Sequence, residues 1–261
     1  MNLNLKRKTA LVCGSTQGIG KAAAIELALL GADVVLFARN ETKLKQVLEE
    51  LDKSKGQNHN YLVSDFSDTA MVKSTIKKFA ENTPVQILIN NTGGPAGGSI
   101  INAEDHAFLS AFQQHLINNH NILKALVPGM RSAGYGRVIN IISTSVKQPL
   151  TGLGVSNTVR GAVASWAKTM ANELGPFGIT VNNVLPGATM TARLEAIAEN
   201  KAKQTGLTSD EVLGQMANAT PAKRIGLANE IANAIAFLAS PAAAYINGIN
   251  LPVDGGRTGS L

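Results

Sequence analysis

Thr9-Ala-Leu-Val-Cys-Gly-Ser-Thr-Gln-Gly-Ile-Gly20 decides how the rest of the chain is read. Ala10 to Cys13 is a short apolar run with the character of a buried strand. Gly14, Gly18 and Gly20 then take the backbone through a tight turn, and Lys21 to Leu30 follows as an Ala/Leu-rich helix. Strand, glycine turn and helix N-terminus together make a phosphate site. Free N–H groups and the positive end of the helix dipole face the anion, and the missing Cβ atoms let the backbone approach it. The spacing is G-x-x-x-G-x-G rather than G-x-G-x-x-G. A turn that binds nothing is the alternative, and three glycines alone do not dispose of it.

The next strand adds the deciding detail. Asp33 to Ala38 is rich in Val and Leu and ends in Arg39-Asn40, about twenty residues past the glycines, where dinucleotide folds read the adenosine ribose. An acidic residue there binds the ribose hydroxyl of NAD and repels a phosphate. This chain offers Ala38 and then Arg39, whose planar, permanently charged fork suits a phosphate. The expected cofactor is therefore NADP(H). The alternative is an arginine solvated at a strand end.

Outward from this unit, strand and helix signals alternate throughout. Strands are expected at Asn60–Val63, Val85–Ile89, Arg137–Ile142, Thr180–Leu185 and Ile249–Val253. Helices are expected at Thr42–Lys53, Thr69–Glu81, Glu104–Met130, Ser156–Leu174 and Glu230–Leu238. This alternation predicts an α/β fold: one Rossmann-type, doubly wound parallel sheet with helices on both faces. Ligands in such sheets bind at the carboxyl ends of strands, where Gly14, Arg39, Asp65, Asn91, Ser143 and Pro186 all fall. Glu195–Ala217 is polar, helix-prone and without a strand partner, so a helical lid is expected at about residues 190–220. Its Leu194, Ile197, Leu207, Val212, Leu213 and Met216 suit either an apolar pocket or ordinary helix packing.

Composition narrows the function classes. The 261 residues carry no linker or composition break, and a single domain over residues 1–261 is expected. No apolar run approaches the ~18 residues of a membrane span, and the first residues lack a signal core. The net charge of +6 is spread out, with no aromatic residues interleaved among the short basic runs. No nucleic-acid or membrane partner is expected. Cys13 is the only cysteine and sits within the first strand, where a small buried residue is the simpler reading than a nucleophile. The simplest location is the cytoplasm. His59, His106, His115 and His120 show no metal-ligand spacing, so no metal site is expected.

The chain resembles the short-chain dehydrogenase/reductase family over essentially its whole length. The resemblance rests on an ordered series: Gly14-x-x-x-Gly18-Ile-Gly20, Asn90-Asn91-Thr92-Gly93 and Asn140-Ile-Ile-Ser143. It continues through Glu173-Leu-Gly-Pro-Phe-Gly-Ile-Thr-Val-Asn182, Pro186-Gly187 and Val253-Asp254-Gly255-Gly256. The 3-oxoacyl-carrier-protein reductases look most similar. The resemblance implies an NAD(P)-dependent oxidoreductase acting on a small carbonyl or alcohol, assembled as a homo-oligomer, a tetramer or dimer. It implies that Arg39 selects NADP(H), that Asp65 lies at the adenine, and that Asn91 lies on the adenosine ribose side. It also implies that Thr189 and Thr191 serve the nicotinamide amide and the phosphates. The cofactor contacts expected are thus Gly14, Ser15, Thr16, Gln17, Gly18, Ile19, Gly20, Arg39, Asp65, Asn91, Gly93, Pro186, Gly187, Thr189 and Thr191.

The family's catalytic Asn-Ser-Tyr-Lys group is not kept. Ser143 is present, but the tyrosine position holds Ser156, the lysine position Arg160 and the asparagine position His115. Reduction of a carbonyl leaves an alkoxide that an acid must protonate. A serine hydroxyl donates a hydrogen bond but hardly titrates, and an arginine at position 160 can hold the nicotinamide ribose hydroxyls and stabilise an oxyanion without shuttling protons near neutral pH. His115 and Lys147, which follows Ser143 by four residues in the loop over the expected site, are the candidate substitutes for the acid. Tyr61, Tyr135 and Tyr245 fall outside the expected pocket. Two readings follow: an NADPH-dependent carbonyl reductase with a rebuilt catalytic group, or an NADP-binding sensor or interaction subunit that has lost redox catalysis. A different reaction at a bound nicotinamide is a third. Ser143, Thr189 and Thr191 address the nicotinamide end and favour the first.

Overall fold

A computed structural model describes residues 1–260. Seven strands form one parallel sheet in the order β3-β2-β1-β4-β5-β6-β7. They are β1 (Thr9–Cys13), β2 (Asp33–Ala38), β3 (Asn60–Val63), β4 (Ile87–Asn90), β5 (Gly136–Ile141), β6 (Ile179–Pro186) and β7 (Asn250–Val253). The helices are α1 (Gly18–Leu29), α2 (Glu41–Glu50), α3 (Thr69–Ala80), α4 (Asp105–Phe112), α5 (Asn118–Ser132), α6 (Gly154–Leu174), α7 (Ala192–Thr205), α8 (Ser209–Asn218) and α9 (Ala228–Ala239). The doubly wound sheet is as expected, with element ends shifted by up to three residues.

Strand alternation divides the core between the two faces of the sheet. Ala10, Val12, Val34, Leu36, Ile87 and Ile89 pack with α1 and α9 on one face. Leu11, Cys13, Val35, Phe37 and Leu88 pack on the other, with α3, α5 and α6. A strand covered on both sides has no position left for a solvated side chain, which is why β1, β2 and β4 read as unbroken apolar runs. In α1 the buried Ala23, Ala24, Leu27 and Ala28 form a narrow stripe of mostly small residues, and α9 lies against it with Ala232, Ala236 and Ala239.

Chain order reverses direction between β1 and β4, so a crevice opens where the connections leave those two strands. Beyond it, the buried Asn90, Asn140 and Asn183 and the exposed Asn250 form a ladder across the sheet. Asn90 Nδ2 donates to Asn140 Oδ1 (2.8 Å), Asn140 Nδ2 to Asn183 Oδ1 (2.9 Å) and Asn183 Nδ2 to Asn250 Oδ1 (2.8 Å). Parallel register brings these side chains into one row, so each buried Nδ2 finds an acceptor on the adjacent strand.

Two expectations are corrected. The stretch expected as one helix, Glu104–Met130, is α4 and α5 joined by a π-helical turn at Gln113–Ile117, which carries His115. The expected lid is a hairpin of two helices. Gly206, at φ +74°, ends α7 in the left-handed conformation, and a reciprocal cap between Thr208 and Glu211 starts α8. Val212, Leu207, Leu213 and Met216 pack against Ala198 and Ala202 as the hairpin's own core. Among the described residues, no helix is long and apolar enough to cross a membrane.

Candidate active site

The glycine turn is shaped first by its neighbours in the chain. Gly14 has φ +59°, and a Cβ there would run into the carbonyl of Asn91. A Cβ on Gly20 would collide with the Gly14 carbonyl and come within 2.6 Å of Asn91 Nδ2. Asn91 itself donates to the carbonyls of Cys13 (3.4 Å) and Gly14 (3.2 Å), lashing the end of β4 to the end of β1. Gly18, at φ +55°, faces Thr191, whose Cγ2 would lie 3.2 Å from a Cβ. Three strand ends thus meet at one glycine-lined point.

Ser15 is fully buried and its Oγ accepts from the Phe37 N–H at 3.0 Å. Its hydroxyl ties the turn to β2. Thr16, Gln17, Gly18 and Ile19 complete the turn. Among the described residues nothing accepts from their backbone N–H groups, which stand at the N-terminus of α1. Arg39 is 77% exposed beyond β2, with only a long 3.6 Å contact to Asp65. Asp65 accepts from the Ser67 N–H and hydroxyl, both at 2.9 Å, and these bonds hold its carboxyl below the usual carboxylate range. A turn with unengaged N–H groups and an outlying guanidinium fits a phosphorylated dinucleotide.

The far side of the crevice lies at the ends of β5 and β6. Gly187 closes on Asp254, where a Cβ would come within 2.7 Å of the Asp254 Cα. Pro186 ends β6, and Thr189 Oγ1 donates to the Gly187 carbonyl (3.1 Å). Thr191 caps α7, its Oγ1 accepting from the Leu194 N–H at 3.3 Å. Gly93 begins the loop after Asn91-Thr92, with open space where a Cβ would be.

Ser143 follows β5, and its Oγ accepts from the Ser145 N–H at 3.1 Å. That bond fixes the oxygen and leaves its proton available. Lys147 sits half-buried at the end of the short turn after Ser143. Ser156 is half-buried on α6, one turn before Arg160. The Arg160 side chain is buried, and its one hydrogen bond runs from Nη1 to the Ile141 carbonyl (3.0 Å). Burial and the neighbouring Arg193 push its pKa down to about 10, so it stays charged at neutral pH.

His115 is buried, with Nδ1 2.6 Å from Thr92 Oγ1. Burial first, then the charges of Arg160 and Arg193, push its pKa down to about 3. So low a pKa counts against the expected role as an acid. A buried ring near two guanidiniums is neutral near pH 7, and its contact to Thr92 is a hydrogen bond. The tyrosines lie elsewhere: Tyr135 donates to the Ala239 carbonyl, Tyr61 to Glu41, and Tyr245 is fully exposed. Burial pushes the Cys13 thiol up, away from nucleophilic use.

Sequence reasoning missed Arg193. It occupies the second position of α7, and its Nη2 donates to the Pro95 carbonyl at 2.6 Å. A basic residue in the first turn of a helix opposes the helix dipole, and that was the available signal.

Fold and site together define a nucleotide-binding oxidoreductase, and the chain belongs to the short-chain dehydrogenase/reductase family. The family profile described as "Enoyl-(Acyl carrier protein) reductase" matches residues 14–258. The chain is 31% identical to the NADPH-dependent reductase BacG of Bacillus subtilis, over 98% of this chain and 100% of that protein. It is 33% identical to the 3-oxoacyl-[acyl-carrier-protein] reductase FabG of Escherichia coli, over 97% of this chain and 98% of that one. The crystal structure of L-sorbose reductase from Gluconobacter frateurii, complexed with NADPH and L-sorbose, superposes with a TM-score of 0.93. It is 29% identical and covers all of both chains.

Proposed function

We propose that the chain is an NADPH-dependent reductase that converts a carbonyl to an alcohol without the family's tyrosine and lysine. The observation that carries this reading is the buried, charged Arg160 beside the end of β5, two residues from its carbonyl partner Ile141 to Ser143. The relatives support the reaction class, while their substrates differ: an acyl-carrier-protein conjugate for one and L-sorbose for another. The sensor reading has no comparable support.

Residues 14–20 would hold the pyrophosphate, Arg39 the ribose phosphate, and Thr189 and Thr191 the nicotinamide end. When bound, NADPH supplies the hydride. Ser143 donates its proton into a hydrogen bond with the substrate carbonyl and orients it. As the carbonyl π pair moves onto oxygen, the buried Arg160 guanidinium stabilises the alkoxide electrostatically. Ser156 supplies a second hydroxyl on the same helix. Protonation of the alkoxide completes the alcohol. Neutral His115 holds Thr92 in place, and Lys147 is the remaining titratable candidate for the proton source.

Residues 192–218 act as the lid in this reading. A homotetramer would cover Leu109 and Ile117, which are exposed along α4 and the π turn, and light scattering tests it. A cytoplasmic location suits a chain whose only cysteine is buried and unpaired. Steady-state NADPH oxidation across a carbonyl panel, repeated with Arg160→Gln and Lys147→Met, tests the assignment. Turnover that depends on Arg160 supports it. Turnover indifferent to Arg160 sinks the role given to the guanidinium.

A further inference from the structure

Two guanidiniums converge on the loop after β4. Arg160 Nη2 lies 3.7 Å and Arg193 Nη2 3.5 Å from the point where a Cβ on Gly94 would sit. No carboxylate among the described residues lies within ion-pair distance of either. Like charges held together cost free energy, and a buried charge without a counter-ion costs more.

Other arginines of the chain show the usual resolutions. Arg137 is as buried as Arg160, but its guanidinium donates to the carbonyls of Gly136, Gly178 and Ser240 and stacks 4.0 Å from the Tyr135 ring centroid. Arg224 holds both carboxylate oxygens of Glu230, at 2.6 and 2.7 Å. Arg160 and Arg193 each have one carbonyl, leaving most of both forks unengaged. Arg193 also stands in the first turn of α7, where the helix dipole disfavours it. Beyond one carbonyl each, the described residues offer these guanidiniums no partner. The cofactor's phosphates are already matched by the glycine turn and Arg39.

We propose that Arg160 and Arg193 bind a carboxylate on the substrate, so that the carbonyl compound reduced is an oxo acid. This rests on the reductase reading for its chemistry, but the anion site can be tested without turnover. Arg160 comes from the rigid α6 and Arg193 from the lid hairpin, so an anion between them would also draw α7 toward the β5 end. The planar forks suit the two oxygens of a carboxylate. A substrate presented as a thioester has no such group beside its carbonyl.

The test is calorimetric binding of pyruvate, acetoacetate, levulinate and benzoylformate to the protein loaded with NADP+, which has no hydride to give, each compared with its N-methyl amide; reduction is assayed separately with NADPH. NADPH affinity is measured in parallel on wild type, Arg193→Gln and Arg160→Lys. Arg193 is exposed, so its variant is expected to fold normally. The expected result is that at least one acid binds and its amide does not. Arg193→Gln should then weaken that acid roughly tenfold to a hundredfold while leaving NADPH affinity unchanged. Acids and amides binding alike, or none of the acids binding, would overturn the proposal. So would an Arg193→Gln variant that loses NADPH and not the acid, since the guanidinium would then serve a cofactor phosphate. Acid binding without reduction of any compound would leave the anion site standing and instead remove the reductase reading.

Discussion

Around the end of β1, Asn91 donates to two carbonyls, Ser15 accepts from Phe37, and two glycines leave room only for the Asn91 carboxamide and its backbone. Around the end of β5, Arg160 donates to a single carbonyl, Ser143 keeps its proton, and Arg193 reaches across from another helix. The first region is fixed by its own packing and would hold its shape with or without a ligand. The second carries charge that the chain itself does not neutralise. Residues that satisfy one another shape a site, while polar groups left over are the ones that meet substrate.

This contrast can be broken from either side. The largest effect is expected at Arg160. Arg160→Gln should lower kcat ~100- to 1000-fold, the range for losing a preorganised oxyanion donor, as read by steady-state NADPH oxidation. Next comes Gly20→Ala, in the region fixed by packing. The added methyl strikes the Gly14 carbonyl and Asn91, so urea unfolding should show a loss of about 3 kcal/mol, and NADPH fluorescence titration a loss of cofactor binding. If Gly20→Ala left both unchanged, the locked turn would be a misreading.

Arg39→Asp should be smaller and selective. Its side chain is largely exposed, so stability should hold. NADPH affinity should fall roughly tenfold to a hundredfold and the preference over NADH should disappear. Per pH unit, the smallest effect is a pH dependence. The His115 pKa lies below its unfolded value of 6.5, at about 3. Between those limits the unfolded chain takes up a proton that the folded protein refuses. Stability contributed by neutral His115 is therefore complete above pH 6.5 and is lost as pH falls. In cofactor-free protein, wild type should lose up to about 1.4 kcal/mol per pH unit more than His115→Asn over that window, read by thermal unfolding at stepped pH.

The sheet was legible because apolar strands covered on both faces cannot hide, and because glycine turns and capping residues such as Asn40 mark their ends. The position of Arg39 was legible for the same reason: it stands one residue past a strand. The π turn at Gln113–Ile117 was not, since one extra residue in a turn barely disturbs helical periodicity. The asparagine ladder was hidden because its members come from four separate strands and only parallel register joins them. His115 was placed in the site by its position, but its charge state depends on burial and on two arginines distant in sequence. Arg193 escaped notice because its partners, Pro95 and the neighbourhood of Arg160, come from other elements.

The central claim is that Arg160 and Ser143 sustain reduction where tyrosine and lysine are missing. It is tested most directly by incubating the protein with NADPH deuterated at the transferable position and a panel of ketones, aldehydes and oxo acids, then reading products by mass spectrometry. The account predicts deuterium on the carbinol carbon of at least one product with wild type, and a large loss of label with Arg160→Gln. Tight NADPH binding with no labelled alcohol from any compound would contradict it.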